Sequence, residues 1–376
     1  MSYEKLFESD ISDEYVKAWK AQGKKALGVI CCHVPLELFH ALDILPVRIR
    51  ATGTDESPEG DAWMSTFTCS YARGLLQCIL DGRFGDLDGI IASDGCMMAS
   101  RAYDNAEHIS KKLGKDKVYF QFGAPRKDGN LEREFFIGEL KDLVEVLEKV
   151  SGNRLTDEKL RASIEKYNEA RELIRQVYDL RKAEHPVISG TDCLKLTMNF
   201  AQMPVEDYVA MVKEFLAAAK SMKPVDKDKR ARLMVIGSAL DDPEYMKIVE
   251  DAGSIVVCDA LCWGSRMFNY PLEVKGDLLT SIASYYLDRI VCPRMIDNRD
   301  KLHAWIMDTL ADYRCDGVLY EKMQYCELWG GEGIMLEDML KQKDIPILTV
   351  EREEHIANAG QLSIRAEAFV EMIESK

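Results

Sequence analysis

The phrase Leu87-Asp-Gly-Ile-Ile-Ala-Ser-Asp-Gly-Cys96 constrains the fold more than any other stretch of the chain. A short apolar run ends in a polar turn and a cysteine, and a helical pattern from Met97 to Ile109 follows at once. Cys315-Asp-Gly-Val-Leu-Tyr-Glu-Lys-Met-Gln-Tyr-Cys326 writes nearly the same phrase, again with a helix behind it. Two strand-turn-Cys-helix units this alike imply a duplicated architecture, with one site built from two related halves.

The surrounding pattern extends the duplication. In the first half, strands are predicted at Lys25–Cys31, Leu45–Arg50, Leu87–Ala92 and Lys117–Phe122. Helices are predicted between them at Leu36–Leu42, which Pro35 starts well, and at Cys69–Leu80, with a polar loop over 51–62. In the second half, strands are predicted at Arg232–Gly237, Ser254–Cys258, Gly317–Tyr320 and Ile345–Val350. The helices there are Pro243–Asp251, Asn298–Tyr313, Gly331–Lys341 and Ile364–Ile373. Alternation at this spacing predicts parallel sheets covered on both faces. Between the halves, apolar residues recur every three or four positions among Lys and Glu, as in Leu140-x-x-Leu143-x-x-x-Leu147, which predicts packed helices. The expected class is α/β: two related doubly wound, flavodoxin- or Rossmann-like parallel-sheet domains over 1–150 and 226–376, joined by a helical section over 151–225. Ligands of such sheets sit beyond the carboxyl ends of the strands, where Cys96 and Cys326 both fall.

Composition narrows the function. With 47% apolar and 30% charged residues the chain is that of a globular protein, and its net charge of −15 argues against a nucleic-acid partner. No apolar run approaches the ~20 residues of a membrane helix. The N-terminus lacks the basic start and apolar core of a signal peptide, so a cytoplasmic chain is expected. In that setting the eleven cysteines are thiols or metal ligands rather than disulfides. None forms a C-x-x-C pair, so any cluster must gather ligands from distant parts of the chain. No P-loop or dinucleotide-binding glycine pattern occurs, and no bound nucleotide is expected.

Cys96 and Cys326 read either as ligands in a cleft between the halves or as small residues of βα loops. Cys69 stands at a predicted helix start, which favours a thiolate. Cys31 and Cys32 adjoin the end of the first strand; alternation lets at most one face a shared site. Cys258 and Cys262 read as core packing, and Cys78, Cys193, Cys292 and Cys315 as structural. His33, alone among six histidines, lies beside a predicted strand end, as a proton donor or a polar loop residue.

Together, several stretches resemble the 2-hydroxyacyl-CoA dehydratase and benzoyl-CoA reductase family (D-component). They are Gly28-Val-Ile-Cys-Cys-His-Val-Pro-Leu-Glu-Leu38 with Ala41 and Pro46, Cys69-Ser-Tyr-Ala-Arg73, Leu87 to Cys96, Leu155 to Asn168, Asp316-Gly-Val with Cys326, and Ile345 to Glu351. The resemblance implies a [4Fe–4S] cluster held by Cys69, Cys96 and Cys326, with the fourth iron left to water, sulfide or substrate. It implies a heterodimer with a homologous substrate-binding subunit, and a separate ATP-hydrolysing iron–sulfur activator that injects one low-potential electron. The implied reaction is a radical one: a ketyl formed from a 2-hydroxyacyl-CoA loses water to give a 2-enoyl-CoA. In the reductases the electron instead reduces an aromatic ring.

The substrate-holding subunit type is expected to carry a serine before the Val-Pro-like turn and a carboxylate after the second strand. Here those places read Cys32-His33 and Arg48/Arg50. The length and Asp259-x-Leu-x-x-x-x-Arg266-x-Phe268 resemble the β-type, electron-relaying subunit. The alternative is a different reaction, marked by Cys32 in the serine's place, with His33 or Glu37 as proton donor. A benzoyl-CoA reductase-like subunit, a homodimeric ATP-coupled iron–sulfur electron-transfer protein and a metal-free binding protein are the other expectations.

Overall fold

The computed structural model describes residues 2–52, 56–289, 292–354 and 359–375. Its first sheet is formed by β1 (Lys25–Ile30), β2 (Ile44–Arg48), β3 (Gly89–Ser93) and β4 (Val118–Phe122). Its second comprises β5 (Ala231–Gly237), β6 (Ser254–Ala260), β7 (Gly317–Met323) and β8 (Ile347–Arg352). All pairings are parallel, and the orders β2-β1-β3-β4 and β6-β5-β7-β8 are the same topology written twice. Helices pack on both sheets. The central strands are buried along almost their whole length, which is why they read as continuous apolar runs.

The twin phrase has a local physical cause. Where β3 begins, the Asp88 N–H donates to the Ala26 carbonyl at 2.8 Å, and its Oδ2 accepts from the Ala26 N–H at 3.0 Å. Where β7 begins, the Asp316 N–H donates to the Arg232 carbonyl at 2.8 Å, and its Oδ2 accepts from the Arg232 N–H at 2.7 Å. Each aspartate therefore closes the open end of the ladder to the neighbouring strand. The glycine that follows is needed for space in β3: a Cβ on Gly89 would stand 2.0 Å from the Val118 carbonyl oxygen.

The helical section is made by Asn130–Ser151, Asp157–Asp179, Gly190–Met198 and Val205–Ala219. Thr156 caps the second by accepting the Lys159 N–H at 3.3 Å, and Leu160, Ile164, Tyr167, Ile174 and Tyr178 line its buried face. One apolar cluster runs from the first sheet through these helices to one face of the second sheet.

Two elements differ from the sequence reading. The stretch expected as a polar loop over 51–62 contains a short helix, Pro58–Trp63, with proline in its first turn; residues 53–55 lie outside the described residues. The long connection after β6 contains the helix Leu278–Asp288, capped by Asp277. That helix buries seven of its eleven residues on more than one side, so no single apolar stripe announces it.

Candidate metal centre

In a sheet ordered β2-β1-β3-β4, successive connections depart in opposite directions from β1 and β3, and a crevice opens between their carboxyl ends. Cys31, Cys32 and His33 follow β1, and Cys96 follows β3. In the second sheet the corresponding positions are Ser238 and Ala239 after β5, and Cys326 after β7. The two crevices face one another. Residues after all four strands line a single cavity of about 110 Å³, room for a few waters or a small inorganic group.

Cys69, Cys96 and Cys326 meet at this cavity, and each is the N-cap of a helix: Ser70–Leu80, Met97–Lys112 and Glu327–Gln342. Backbone N–H groups of the first turn lie close to each sulfur, from Ala72, from Met98 and Ala99, and from Leu328 and Trp329. Those donors favour thiolate, but burial outweighs them. Burial pushes the Cys69 thiol well above its ordinary value, with the nearby Cys96 adding to it, and pushes Cys96 up to about 12. Cys326 is raised too, by burial first, against the Ser238 hydroxyl. A coordinating cation reverses such a balance, because it deprotonates a thiol outright.

The structure corrects the expectation for Cys31 and Cys32. Both line the cavity, since Cys31 leaves the strand pleat with φ 80° and the alternation that separates neighbours stops there. Ligand atoms of Cys31, Cys32 and His33 all lie within 4.8 Å of one another, a grouping that could hold a metal ion. The Cys32 thiol, above all, lowers the Cys31 thiol to about 6, and burial followed by Arg294 lowers His33 to about 4. Cys262, expected from sequence as core packing, and Cys292, expected as structural, also stand in the wall. The signal for Cys262 was its place beyond the end of β6; nothing in the local spacing marks Cys292. In all, seven of the eleven cysteines line one cavity.

Buried arginines complete the wall. Arg48 donates to the Cys262 carbonyl at 2.7 Å and stacks on Trp263 with 3.7 Å to the ring centroid. Arg294 donates to the carbonyls of Ala124 at 2.6 Å and Pro125 at 2.8 Å. Among the described residues neither meets a carboxylate, although both are at most 4% exposed. Buried cations without counter-ions fit an anionic occupant. Soft sulfur donors, cations and a small buried space are together surroundings that suit a thiolate-bound iron–sulfur group.

Glu37 stands elsewhere. It is fully buried in the first turn of the Leu36–Ala41 helix, ion-paired with Arg171 and accepting the Tyr286 hydroxyl at 2.8 Å, and it does not line the cavity. Among the described residues no helix is long and apolar enough to cross a membrane.

The chain is 26% identical over 374 residues to a benzoyl-CoA reductase subunit of Thauera aromatica, covering 97% of this chain and 95% of that one. It is 22% identical over 360 residues to the (R)-phenyllactyl-CoA dehydratase beta subunit of Clostridium sporogenes, covering 95% and 94%. It is also 22% identical over 361 residues to the (R)-2-hydroxyglutaryl-CoA dehydratase beta subunit of Acidaminococcus fermentans, covering 94% of each. The family model described as 2-hydroxyglutaryl-CoA dehydratase, D-component, matches residues 31–373, and the chain belongs to that family.

Proposed function

We propose that this chain is the iron–sulfur, β-type subunit of an activator-dependent (R)-2-hydroxyacyl-CoA dehydratase, and that Cys69, Cys96 and Cys326 hold its [4Fe–4S] cluster. The observation that carries the reading is the convergence of three helix-capping cysteines, from both sheets, on one arginine-walled cavity. When bound, such a cluster supplies one-electron chemistry at low potential. The protein's own part is to hold three thiolates with first-turn N–H groups and to balance their charge with Arg48 and Arg294. Its apolar wall, including Ile30, Ala72, Leu328 and Trp329, keeps water out. The acyl-CoA belongs to a homologous partner subunit, and electrons come from a separate ATP-hydrolysing activator.

The test is anaerobic, iron-replete expression followed by iron analysis and electron paramagnetic resonance. About four cradle irons per chain are expected. Serine at Cys69, Cys96 or Cys326 should abolish the cluster spectrum, and serine at Cys193, buried away from the cavity, should not. A full cluster signal in Cys326→Ser would overturn the ligand assignment. With partner and activator present, the complex should dehydrate a 2-hydroxyacyl-CoA.

A second reading, a subunit of an aryl-CoA reductase, is favoured by the 26% identity to the benzoyl-CoA reductase protein of Thauera aromatica. Ring reduction of benzoyl-CoA without dehydration of any 2-hydroxyacyl-CoA would decide for it.

A further inference from the structure

The three-cysteine cradle leaves unused the most unusual backbone at the cavity. Cys31 is held at φ 80°, a conformation that costs a non-glycine residue of order 1–3 kcal/mol and that folds retain where function needs it. Its consequence is geometric. In a continued pleat Cys31 and Cys32 would point to opposite faces; turned at Cys31, both thiols and the His33 ring reach the same cavity. Their ligand atoms lie within 4.8 Å of one another, with Cys31 Sγ 3.4 Å from His33 Nδ1. His33 is fully buried, and its Nε2 has no hydrogen-bond partner among the described residues. Room for the Cys31 sulfur is made by Gly95, where a Cβ would stand 2.4 Å from it.

We infer that Cys31, Cys32 and His33 form a second metal site on the β1 side of the cavity, which takes one thiophilic divalent ion of the Zn²⁺ or Fe²⁺ kind. Three donors this close surround a single ion at bonds of roughly 2.0–2.3 Å. Among the described residues Cys69, Cys96 and Cys326 do not form so tight a group, as expected of ligands that each take a different iron. Two thiols and a neutral imidazole bind the ion, two protons leave to solvent, and the fourth position faces the cavity. The inference deepens the proposed function by giving its cavity a second metal, and rests on that reading only for the role of the cradle.

Co²⁺ added to the anaerobically purified full-length protein is the probe, because thiolate ligation gives it a near-ultraviolet charge-transfer band and tetrahedral geometry gives it visible bands. About one equivalent should bind with these bands in the wild type and in Cys96→Ser. The bands should vanish in Cys32→Ser, and His33→Ala should weaken binding by more than the ~10–100-fold that loss of an outer-shell partner costs. His33→Asn replaces Cys32→Ser if circular dichroism shows that the latter is unfolded. Absence of the charge-transfer band in the wild type, or its survival in the Cys31→Ser/Cys32→Ser double variant, would overturn the inference. A normal Co²⁺ band on a chain whose cradle takes up no iron would leave this site standing and remove the proposed function. A full iron–sulfur signal with no Co²⁺ band would do the reverse.

Discussion

At the scale of single residues, the chain separates side chains that serve the cavity from those that hold it in place. Glu37 is of the second kind. Burial would raise its carboxyl, but the Arg171 guanidinium more than offsets this and holds it below the ordinary carboxylate range. A carboxyl depressed on folding contributes stability that is full above its unfolded pKa of about 4.3 and is lost as pH falls through the folded value. Glu37→Gln leaves Arg171 buried without a counter-charge, and should cost about 3–5 kcal/mol at pH 7. The gap between variant and wild type should narrow below about pH 4.3. Urea denaturation at pH 7 and pH 4 checks both; a loss under about 1 kcal/mol at pH 7 would show that the pair does not carry the packing of the Leu36–Ala41 helix. The residues that sequence reading placed at the cavity were those with a positional rule behind them. Cys96 and Cys326 follow strand ends, and Cys69 came from the family resemblance. Cys32 and Cys31 together escaped, because period-two alternation assumes a strand that has already ended at Ile30. Cys292 escaped because the fold alone brings it to the wall.

At the scale of elements, all eight strands were legible, since central parallel strands are apolar without interruption and their helices are striped. Leu278–Asp288 was not, because burial on several sides erases its stripe, and Pro58–Trp63 was hidden in a polar, turn-rich stretch. The repeated Asp-Gly is the most informative local signal. It marks where β3 and β7 each join the neighbouring strand, through a carboxylate that takes the N–H of Ala26 or of Arg232. Removing that acceptor by Asp88→Ala or Asp316→Ala should cost about 1 kcal/mol each. Asparagine, which keeps an acceptor oxygen, should cost less. The two sites lie in different sheets, so the losses should add within about 0.5 kcal/mol. Urea midpoints of the two single variants and the double variant measure this. A double variant much less stable than the sum would mean that the strand ends are coupled through the interface between the halves.

At the scale of the whole molecule, the cavity exists only while the two sheets face one another. Several contacts hold them so: Ala51 N–H to Asp241 Oδ2 at 2.8 Å, Glu354 N–H to Ser70 Oγ at 2.7 Å, and Arg289 Nη2 to the Cys32 carbonyl at 2.8 Å. Cys69 and Cys96 ride on the half that holds the first sheet, and Cys326 on the half that holds the second. A group bound by all three therefore binds the docked state and not the separated one, and raises the stability of docking by mass action. The gain is about 4 kcal/mol when the ligand is a thousandfold above its Kd. Reconstitution with iron and sulfide should raise the melting temperature by several degrees. In Cys326→Ser, the two remaining cradle cysteines and the Cys31–Cys32–His33 group all lie on one side of the interface, so iron bound there does not favour docking, and the shift should fall well below that of the wild type. Differential scanning calorimetry of the reconstituted and iron-free forms, in the wild type and in this variant, decides the matter. An equal upward shift in Cys326→Ser would mean that the second sheet contributes no ligand and that the cradle lies within the first half alone.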